Sequence, residues 1–429
     1  MHNEIVMKVD TARQQFGVID TWQLPSAVKS IIGTETVRQC LDHCWVQHST
    51  RSSAQLDAIV FTGSMARDEA TCVLKDEWYK VLGDAEFLLV FKGNVALPSL
   101  EEINCQQRRI EDALRQHNIE CRVSLAAVRA NYFEELPKHI FSYELRNCGR
   151  VIWGNAMVLD LIPQFAPSDV SQEDAWRLLC NRIVEQLEVA SELPVSSEFF
   201  SAAAYYRTIK LYLDIATSFL VFAGAYDPTY AGRSKRLNAL ARESSGTDQP
   251  FDLTAFARVV ETCTAWKLDP QCVRLPANRE FWETAVYHAQ LLWLWELRRL
   301  TGTVLQASRR DLLEKWRQMQ RLPVRLRGWA YIARRQGWSQ AIRLSPRWVP
   351  RAFRASPRYL VYVVASELFF RLPCVLSPEK SRRRVDVDWA KVRHALPVLP
   401  GASVASPDWR QLASDVVWNY QQFLVGTRA

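Results

Sequence analysis

The chain has 429 residues and a mass of 49.4 kDa, which predicts two or three domains at roughly 150 residues each. Hydrophobic residues make up 48% and charged residues 23%, with a net charge of +8, and this balance excludes a disordered or low-complexity chain. No apolar run reaches the roughly 18 residues of a membrane-spanning helix, and residues 1–10 lack the apolar core of a secretory signal.

Residues 1–165 alternate predicted helices with short apolar strands, a pattern typical of a sheet covered by helices. A helix is predicted over Thr34–Gln47, with Thr34 as its N-cap. The first two strands are short runs of apolar, β-branched and aromatic residues. In chain order, the further elements are strands over Asp57–Thr62 and Ala85–Phe91, a helix over Leu100–His117, and strands over Ile119–Val128 and Gly149–Gly154.

Residues 166–302 are predicted to form a helical domain, because apolar residues recur there at helical spacing. Its helices are predicted over Ser171–Leu193, Ser197–Phe222 and Phe281–Leu300. Residues 303–429 are basic, rich in Trp and interrupted by prolines. The predicted fold class is therefore α+β, with a small mixed-sheet domain at 1–165, a helical domain at 166–302 and a basic, mostly helical region at 303–429.

Two polar segments of the first region lie where predicted strands begin or end. Gly63 and Ser64 form a turn directly after the first strand. Asp84 and Glu86 begin the second, and their carboxylates are predicted to share a face because they are two residues apart. Such a pair repels itself unless a cation lies between its members, and Mg²⁺ with phosphates suits these oxygen ligands. The pattern predicts metal-assisted phosphoryl or nucleotidyl transfer, since glycine leaves room for a triphosphate.

The motif Gly-Ser-x-Ala-Arg-x-Glu that begins at Gly63, followed by Asp84-x-Glu86 in a hydrophobic strand, resembles the polymerase-β-type nucleotidyltransferase superfamily. Within it, the chain is most similar to bacterial antibiotic nucleotidyltransferases, over roughly residues 34–165. The resemblance implies that Gly63 and Ser64 hold the triphosphate of a nucleoside triphosphate, and that Asp84 and Glu86 bind Mg²⁺. The implied activity is transfer of a nucleoside monophosphate to a hydroxyl acceptor.

Two positions depart from the family's pattern. The 19 residues between Ser64 and Asp84 form a longer gap than is usual, and an insertion around Thr71–Lys80 explains it. The family's third carboxylate lies on a neighbouring strand, where this sequence has Arg122. Glu120 lies two residues earlier on the same face, and we predict that it takes the catalytic role. If it does not, the alternative is a catalytically degenerate fold that binds nucleotide as a regulatory or scaffold protein.

Three cations are predicted to contact the nucleotide. Arg67 follows the Gly-Ser turn, although an ion pair with Glu69 that orders the loop is an equal alternative. Lys210 and Arg233, in the helical domain, are predicted to contact phosphate, because the helical domain of the related enzymes supplies cations. The alternative for Lys210 is a solvated helix face. Glu144 is a candidate general base by analogy with the antibiotic enzymes, whereas a surface position on a helix is the simpler prediction.

The segment Arg309–Arg371 has 15 Lys and Arg against 3 Asp and Glu, a charge of +12, whereas the first 308 residues carry −7. Trp residues are interleaved with these cations. The segment is predicted to bind an anionic membrane surface, to bind a nucleic acid or other acidic polymer, or to be an ordinary domain with Trp in its core. With ten singly spread cysteines, the protein is predicted to be cytoplasmic, with a peripheral position at the inner membrane surface as an alternative.

Overall fold

The computed structural model describes residues 26–42, 56–93, 96–189, 201–243, 248–270, 276, 278–303, 307–376, 387–400 and 407–424. This part of the chain contains both helices and strands, so the predicted α+β class is confirmed. It divides into two compact units. The first is formed by described residues within 26–171, 223–243 and 257–270, and the second by those within 172–222, 248–256 and 276–424.

This division differs from the three regions that the sequence predicts. Residues 223–243 and 257–270 belong to the sheet-containing unit and not to the helical bundle. The basic C-terminal region shares one unit with the bundle. The reason is packing: buried aromatic side chains of the basic region lie against the helix that begins the bundle, as described below.

The first unit is built on a mixed five-stranded sheet in which β3 is the central strand. β3 pairs antiparallel with β2 along its first part and with β1 along its second, and β4 runs parallel to it. β5 pairs antiparallel with β1. The strands are β1 Leu56–Thr62, β2 Cys72–Lys75, β3 Trp78–Phe91, β4 Ile119–Arg129 and β5 Arg150–Gly154.

The insertion predicted at Thr71–Lys80 is a β-hairpin. β2 and the start of β3 are paired from Cys72 with Val81 to Lys75 with Trp78. The two turn residues, Asp76 and Glu77, have positive φ values of 50° and 66°. Two consecutive positive values are what a tight hairpin turn requires. β3 is therefore longer than the predicted strand.

The helices of the first unit cover both faces of the sheet. They are α1 Ser26–Asp42, α2 Gly63–Ala66, α3 Leu100–Arg115, α4 Asn131–Glu134, α5 Ile140–Cys148, α8 Tyr230–Glu243 and α9 Leu253–Leu268, of which residues 257–268 lie in this unit. Phe87 and Leu89 of β3 belong to a core that includes residues of α1 and α3. Leu88 and Val90 belong to a second core on the opposite face, with Phe133 of α4. Because both faces are buried, the strand is a continuous apolar run.

Helix α1 begins earlier than predicted, and Thr34 lies inside it instead of capping it. The buried positions Val28, Ile32, Thr36 and Cys40 recur every fourth residue, so the inner face of the helix starts before Thr34. Thr36 is tolerated there because its hydroxyl donates to the Ile32 carbonyl at 2.8 Å. The predicted end of this helix, residues 43–47, lies outside the described residues.

The second unit is helical throughout its described part. Its helices are α6 Gln172–Glu188, α7 Ala202–Phe222, α10 Arg279–Thr301, α11 Arg309–Met319, α12 Leu322–Gln336, α13 Trp338–Ala352, α14 Pro357–Phe369, α15 Leu372–Val375, α16 Trp389–His394 and α17 Trp409–Leu424, together with the first turn of α9. No helix of the residues described here is sufficiently long and apolar to cross a membrane.

An aromatic cluster forms the core of the second unit. Trp176 of α6 is 2% exposed, and the rings of Trp293, Trp316 and Tyr362 lie within 6.0 Å of it, centroid to centroid. Tyr362 of α14 also donates its hydroxyl hydrogen to Asn181 of α6 at 2.6 Å. The basic region is therefore fixed to the bundle through its aromatic residues.

The described tryptophan side chains of the basic segment are packed inside the second unit. Trp316, Trp329 and Trp348 are each buried, and the indole N–H groups of Trp329 and Trp348 donate to backbone carbonyls at 2.8 and 3.0 Å. The side chain of Trp338 lies outside the described part. The three described side chains are unavailable for stacking on bases or for lying among lipid headgroups, and they fit the prediction of an ordinary core.

We expect Trp176→Ala to lower the free energy of unfolding of the second unit by about 3–5 kcal/mol, because truncation leaves a cavity among three aromatic rings. Tyr287→Ala is the control, because Tyr287 lies on α10 of the same unit but is 58% exposed, and its change should stay within about 0.5 kcal/mol. Urea unfolding followed by circular dichroism measures both. Equal losses in the two variants would contradict a core centred on Trp176.

Candidate functional site

The turn at the end of β1 requires glycine at position 63. The chain passes directly from Thr62 into the single turn of α2, and Gly63 has a φ of +71°. A Cβ atom added there would lie 2.8 Å from Cδ and 2.9 Å from Oε1 of Glu86. Gly63 is thus needed both for the backbone conformation and for the close approach of the Glu86 carboxylate.

Asp84 and Glu86 lie together on one face of β3, next to this turn. Thr62 and Glu86 are paired residues of β1 and β3, so the register brings the end of β1 to Glu86. Asp84 has a side chain that is 45% exposed, and Glu86 is half-buried. A Cβ added at Gly83 would lie 3.7 Å from the Ser64 hydroxyl oxygen, so Ser64 lies beside the start of the acidic pair. The structure therefore brings the four residues of the predicted core site together.

The third position of the acidic set holds Arg122. β3 and β4 pair Asp84 with Arg122, and the Arg122 Nε lies 3.8 Å from Asp84 Oδ1. Glu120 instead pairs with Lys80, with Nζ 2.8 Å from Oε1. An irregularity of register between Lys80 and Asp84 separates the two pairs. The geometry thus puts Arg122, and not Glu120, beside Asp84, which corrects the position expected for Glu120.

The donor set at this site is a pair of carboxylates. Within the described ranges, no three or more His, Cys, Asp or Glu side chains are grouped closely enough to hold a metal ion. Asp84 and Glu86 supply hard oxygen donors, the type that Mg²⁺ prefers when phosphate oxygens complete its shell. The partial exposure of both side chains leaves them accessible to such a ligand, so these two residues fit Mg²⁺ bound together with a triphosphate.

The loop after the turn is held by buried ion pairs. Arg67 Nε lies 3.2 Å from Glu69 Oε2, and Arg67 Nη1 lies 2.6 Å from Glu144 Oε2. The side chains of Arg67 and Glu69 are 6% and 5% exposed. Arg67 therefore forms the ion pair with Glu69 that orders the loop, which is the second of the two predicted alternatives. The Arg67 guanidinium faces the interior and not a phosphate site.

Arg233, predicted to contact phosphate, belongs to the same buried cluster. It forms an ion pair with Glu144, and its Nη2 donates to the Tyr226 hydroxyl at 2.8 Å. Tyr226 donates in turn to Glu144 Oε1 at 2.6 Å. With 4% of its surface exposed, Arg233 is an internal residue, which corrects the phosphate assignment.

Glu144 is neither a surface residue nor a free base. Burial disfavours the charged carboxylate, but the facing guanidinium groups of Arg67 and Arg233 outweigh it and hold the pKa of Glu144 below its ordinary value. A carboxylate that accepts hydrogen bonds from two arginines and a tyrosine is held as a structural anion. This role of Glu144 could not be predicted from the sequence, because its cationic partners Arg67 and Arg233 are 77 and 89 residues away.

Lys210 has its described contacts within the second unit. Its Nζ lies 5.8 Å from the centroid of the Tyr206 ring. The nearby charge of Arg182 and burial together lower the pKa of Lys210. The aspartate one turn along the helix, Asp214, pairs with Arg182 of α6, with Nε 2.5 Å from Oδ2. The nucleotide role of Lys210 remains a prediction.

Lys267 of α9 is a buried cation that the sequence analysis missed. Its Nζ donates to the Glu69 carbonyl at 3.1 Å and to the Thr71 hydroxyl at 2.8 Å. Burial lowers its pKa from the ordinary 10.5 to about 7, although the charge of Glu69 opposes this. The sequence evidence for a buried lysine was only its position between the apolar residues Trp266 and Leu268. This evidence is weak, because solvated lysines often follow apolar residues.

No protein-family model matches this sequence, and no curated protein or solved structure matches it either. The functional argument therefore depends on the residues themselves, and on the arrangement of Gly63, Ser64, Asp84, Glu86 and Arg122 described above.

We expect Lys267 to contribute a rise in the stability of the first unit with pH between about 7 and 10, which the buried thiols of Cys72 and Cys121 oppose above about pH 8.5 because burial raises their pKa to about 12. The unfolded chain keeps the Lys267 proton up to a pKa near 10.5, whereas the folded protein releases it near 7. Unfolding takes up a proton at Lys267 in this window, so its contribution to the free energy of unfolding increases with pH there, by up to about 1.4 kcal/mol per pH unit.

Lys267→Met should remove this increase, and Lys75→Met should keep it because Lys75 is exposed on β2. Unfolding by urea at pH 7 and pH 9, compared between the wild type and each variant, measures the difference. A wild-type protein that shows the same pH dependence as Lys267→Met would contradict a neutral, buried Lys267.

Proposed function

We propose that this chain binds a nucleoside triphosphate with Mg²⁺ at the Gly63 turn and transfers its nucleoside monophosphate to a hydroxyl acceptor. The proposal includes a nucleotidyltransferase-type fold for the sheet of the first unit. One observation carries it: Gly63 closes on the Glu86 carboxylate, while Asp84 lies two residues away on the same face of β3. Only glycine fits at position 63, because the Glu86 carboxylate lies too close for a Cβ atom. This close approach supports a site where a ligand can contact both the backbone and the carboxylate.

Each residue of the site has a proposed role. Asp84 and Glu86 would hold Mg²⁺, which when bound neutralises phosphate charge and polarises the reacting phosphoryl group. Gly63 leaves the backbone open to the triphosphate, and Ser64 offers a hydroxyl to it. Arg67 positions this loop through Glu69 and Glu144. A rigid loop favours transfer because the reacting groups must be held in place before they react.

A second candidate function is favoured by Arg122. A third carboxylate normally anchors the cation that activates the acceptor hydroxyl, and a fixed positive charge at that position opposes it. The chain would then bind nucleotide without transferring it, as a regulatory or scaffold protein. The Arg122–Asp84 pair is exposed and, at 3.8 Å, longer than a hydrogen bond, so it contributes roughly 0–1 kcal/mol. A triphosphate can therefore displace it, and the freed guanidinium suits phosphate.

We expect the wild type to bind at least one of the four ribonucleoside triphosphates more tightly with Mg²⁺ than without it. The double variant Asp84→Ala, Glu86→Ala should lose this metal dependence and at least tenfold in affinity, because no carboxylate remains to hold the cation. Calorimetry measures both. Asp112→Ala is the control, since Asp112 is 67% exposed on α3. Absence of binding for all four triphosphates, with and without Mg²⁺, would overturn both candidate functions.

Two glycine variants test the shape of the same site. Gly63→Ala should abolish triphosphate binding, because the new Cβ would lie 2.8 Å from the Glu86 carboxyl carbon and the backbone would be strained. Gly83→Ala adds the same methyl group at an ordinary 3.7 Å from Ser64 and should bind within a few-fold of the wild type. Equal behaviour of the two variants would remove the geometric basis of the proposal.

We expect Arg122→Asp to increase pyrophosphate release from the bound triphosphate at least tenfold, because it restores a third carboxylate opposite Asp84. Arg115→Asp on α3 makes the same charge change away from the site and should leave the rate unchanged. A wild-type rate at background supports the second candidate. A strong wild-type rate that Glu120→Ala abolishes would instead show that Glu120 reaches the site and that Arg122 does not block it.

A further inference from the structure

The helices of the basic segment expose apolar side chains that no other part of the described chain covers. Thirteen large hydrophobic residues are exposed in the described chain, and seven of them fall within residues 319–353. They are Met319, Leu322, Val324, Leu326, Ile342, Val349 and Phe353, which are 42% to 72% exposed. Such a concentration marks an interaction site, because exposed apolar residues of an ordinary surface are scattered singly.

Three of these residues form one stripe at α13: Ile342 and Val349 lie in the helix, which contains Pro346 and Pro350, and Phe353 is the αR residue that caps its C-terminus. Their spacing of seven and four residues corresponds, on an ideal α-helix, to positions within about 40° of one another and along about 16 Å. They are 72%, 53% and 60% exposed. The three apolar side chains therefore face solvent.

The opposite face of α13 is fixed to the second unit. Trp348 is buried and donates its indole hydrogen to the Pro397 carbonyl at 3.0 Å. Arg347 donates to the carbonyls of His394 and Leu396 at 3.1 and 3.0 Å, and Arg351 donates to the same two. The outward direction of the apolar stripe is thus set by packing.

The charge around the stripe has one sign. From Lys315 to Ser366 the sequence has 12 Lys and Arg and no Asp or Glu. Within the described residues, six arginines of this stretch are exposed and have no ion pair: Arg321, Arg327, Arg334, Arg335, Arg343 and Arg354. A second copy of the chain is a poor occupant for this surface, because two such surfaces would repel each other.

We propose that α12 and α13 bind the surface of an anionic lipid membrane, with the Ile342–Val349–Phe353 stripe among the acyl chains and the exposed arginines at the phosphates. Lipid suits both parts of the surface, since a membrane offers apolar and anionic groups side by side. Single-stranded nucleic acid suits it less well, because stacking of successive bases requires several exposed aromatic rings, and among the described aromatic side chains of residues 319–353 only Phe353 is exposed while Trp329 and Trp348 are buried. The surface shares no residue with the nucleotide site, so its test is independent of the proposed function.

The experiment is sedimentation of the full chain with vesicles of phosphatidylcholine alone and of phosphatidylcholine containing about three parts in ten phosphatidylserine, at low and high salt. The wild type should bind the anionic vesicles at least tenfold more strongly than the neutral ones, and lose most of this binding at high salt. Equal binding to both compositions, or no binding to anionic vesicles at low salt, would overturn the proposal.

Two sets of variants separate the apolar and charged contributions. Replacing Ile342, Val349 and Phe353 by Ser keeps the charge and should weaken binding to anionic vesicles at least tenfold. Replacing Arg334, Arg335 and Arg343 by Gln should have a similar effect and remove most of the salt dependence. The control replaces three exposed apolar residues elsewhere by Ser, namely Leu100, Met157 and Tyr287, and should bind as the wild type does.

Circular dichroism confirms that each variant is folded, and triphosphate binding should be unchanged in all three. A Ser variant of the stripe that binds vesicles as the wild type does, while the Gln variant does not, would overturn insertion. It would indicate a surface for soluble polyanions, and competition by a single-stranded oligonucleotide would then identify nucleic acid as the occupant.

Discussion

The carboxylate of Glu144 joins three segments of the first unit that are far apart in the sequence. It lies between the guanidinium groups of Arg67 and Arg233 and accepts a hydrogen bond from Tyr226, so it joins the loop after β1, helix α5 and the segment that leads into α8. A half-buried anion of this kind is stable only while its partners remain, because loss of one partner leaves a charge that is only partly compensated. The position of the Gly63 turn, and hence of the whole candidate site, depends on this balance.

The sequence could predict those parts of the candidate site that depend on local patterns, and not those that depend on distant partners. Asp84 and Glu86 share a face because strands repeat every two residues, and the apolar run that follows them identifies the strand. Arg122 was expected at the third position of the site, but the separation of Glu120 from Asp84 could not be derived in this way, since it depends on an irregularity of register between β3 and β4. The burial of Arg67 and Arg233 depends on partners that are distant in sequence, for which local patterns have no signal.

Composition is similarly ambiguous for the basic segment. Cations interleaved with tryptophan are typical of a lipid surface, a nucleic-acid surface and a packed helical unit alike, and only the direction of each side chain distinguishes them. Trp316, Trp329 and Trp348 point inward, while Ile342 and Phe353 point outward. The mostly helical character of the segment could be predicted, but its helix bounds could not be read from the prolines, because Pro346 and Pro350 lie inside α13. The face that each helix presents to its neighbours could not be predicted either.

The path of the chain through its two units has a consequence for synthesis. Glu69 and Thr71 lie beside Lys267, which follows 198 and 196 residues later, with residues 172–222 of the other unit in between. At a translation rate of 5–20 residues per second, the loop waits roughly 10 to 40 s for this partner to be made. The candidate site is therefore a late product of folding on the ribosome, and no fragment of the chain that ends before Lys267 contains everything that orders it.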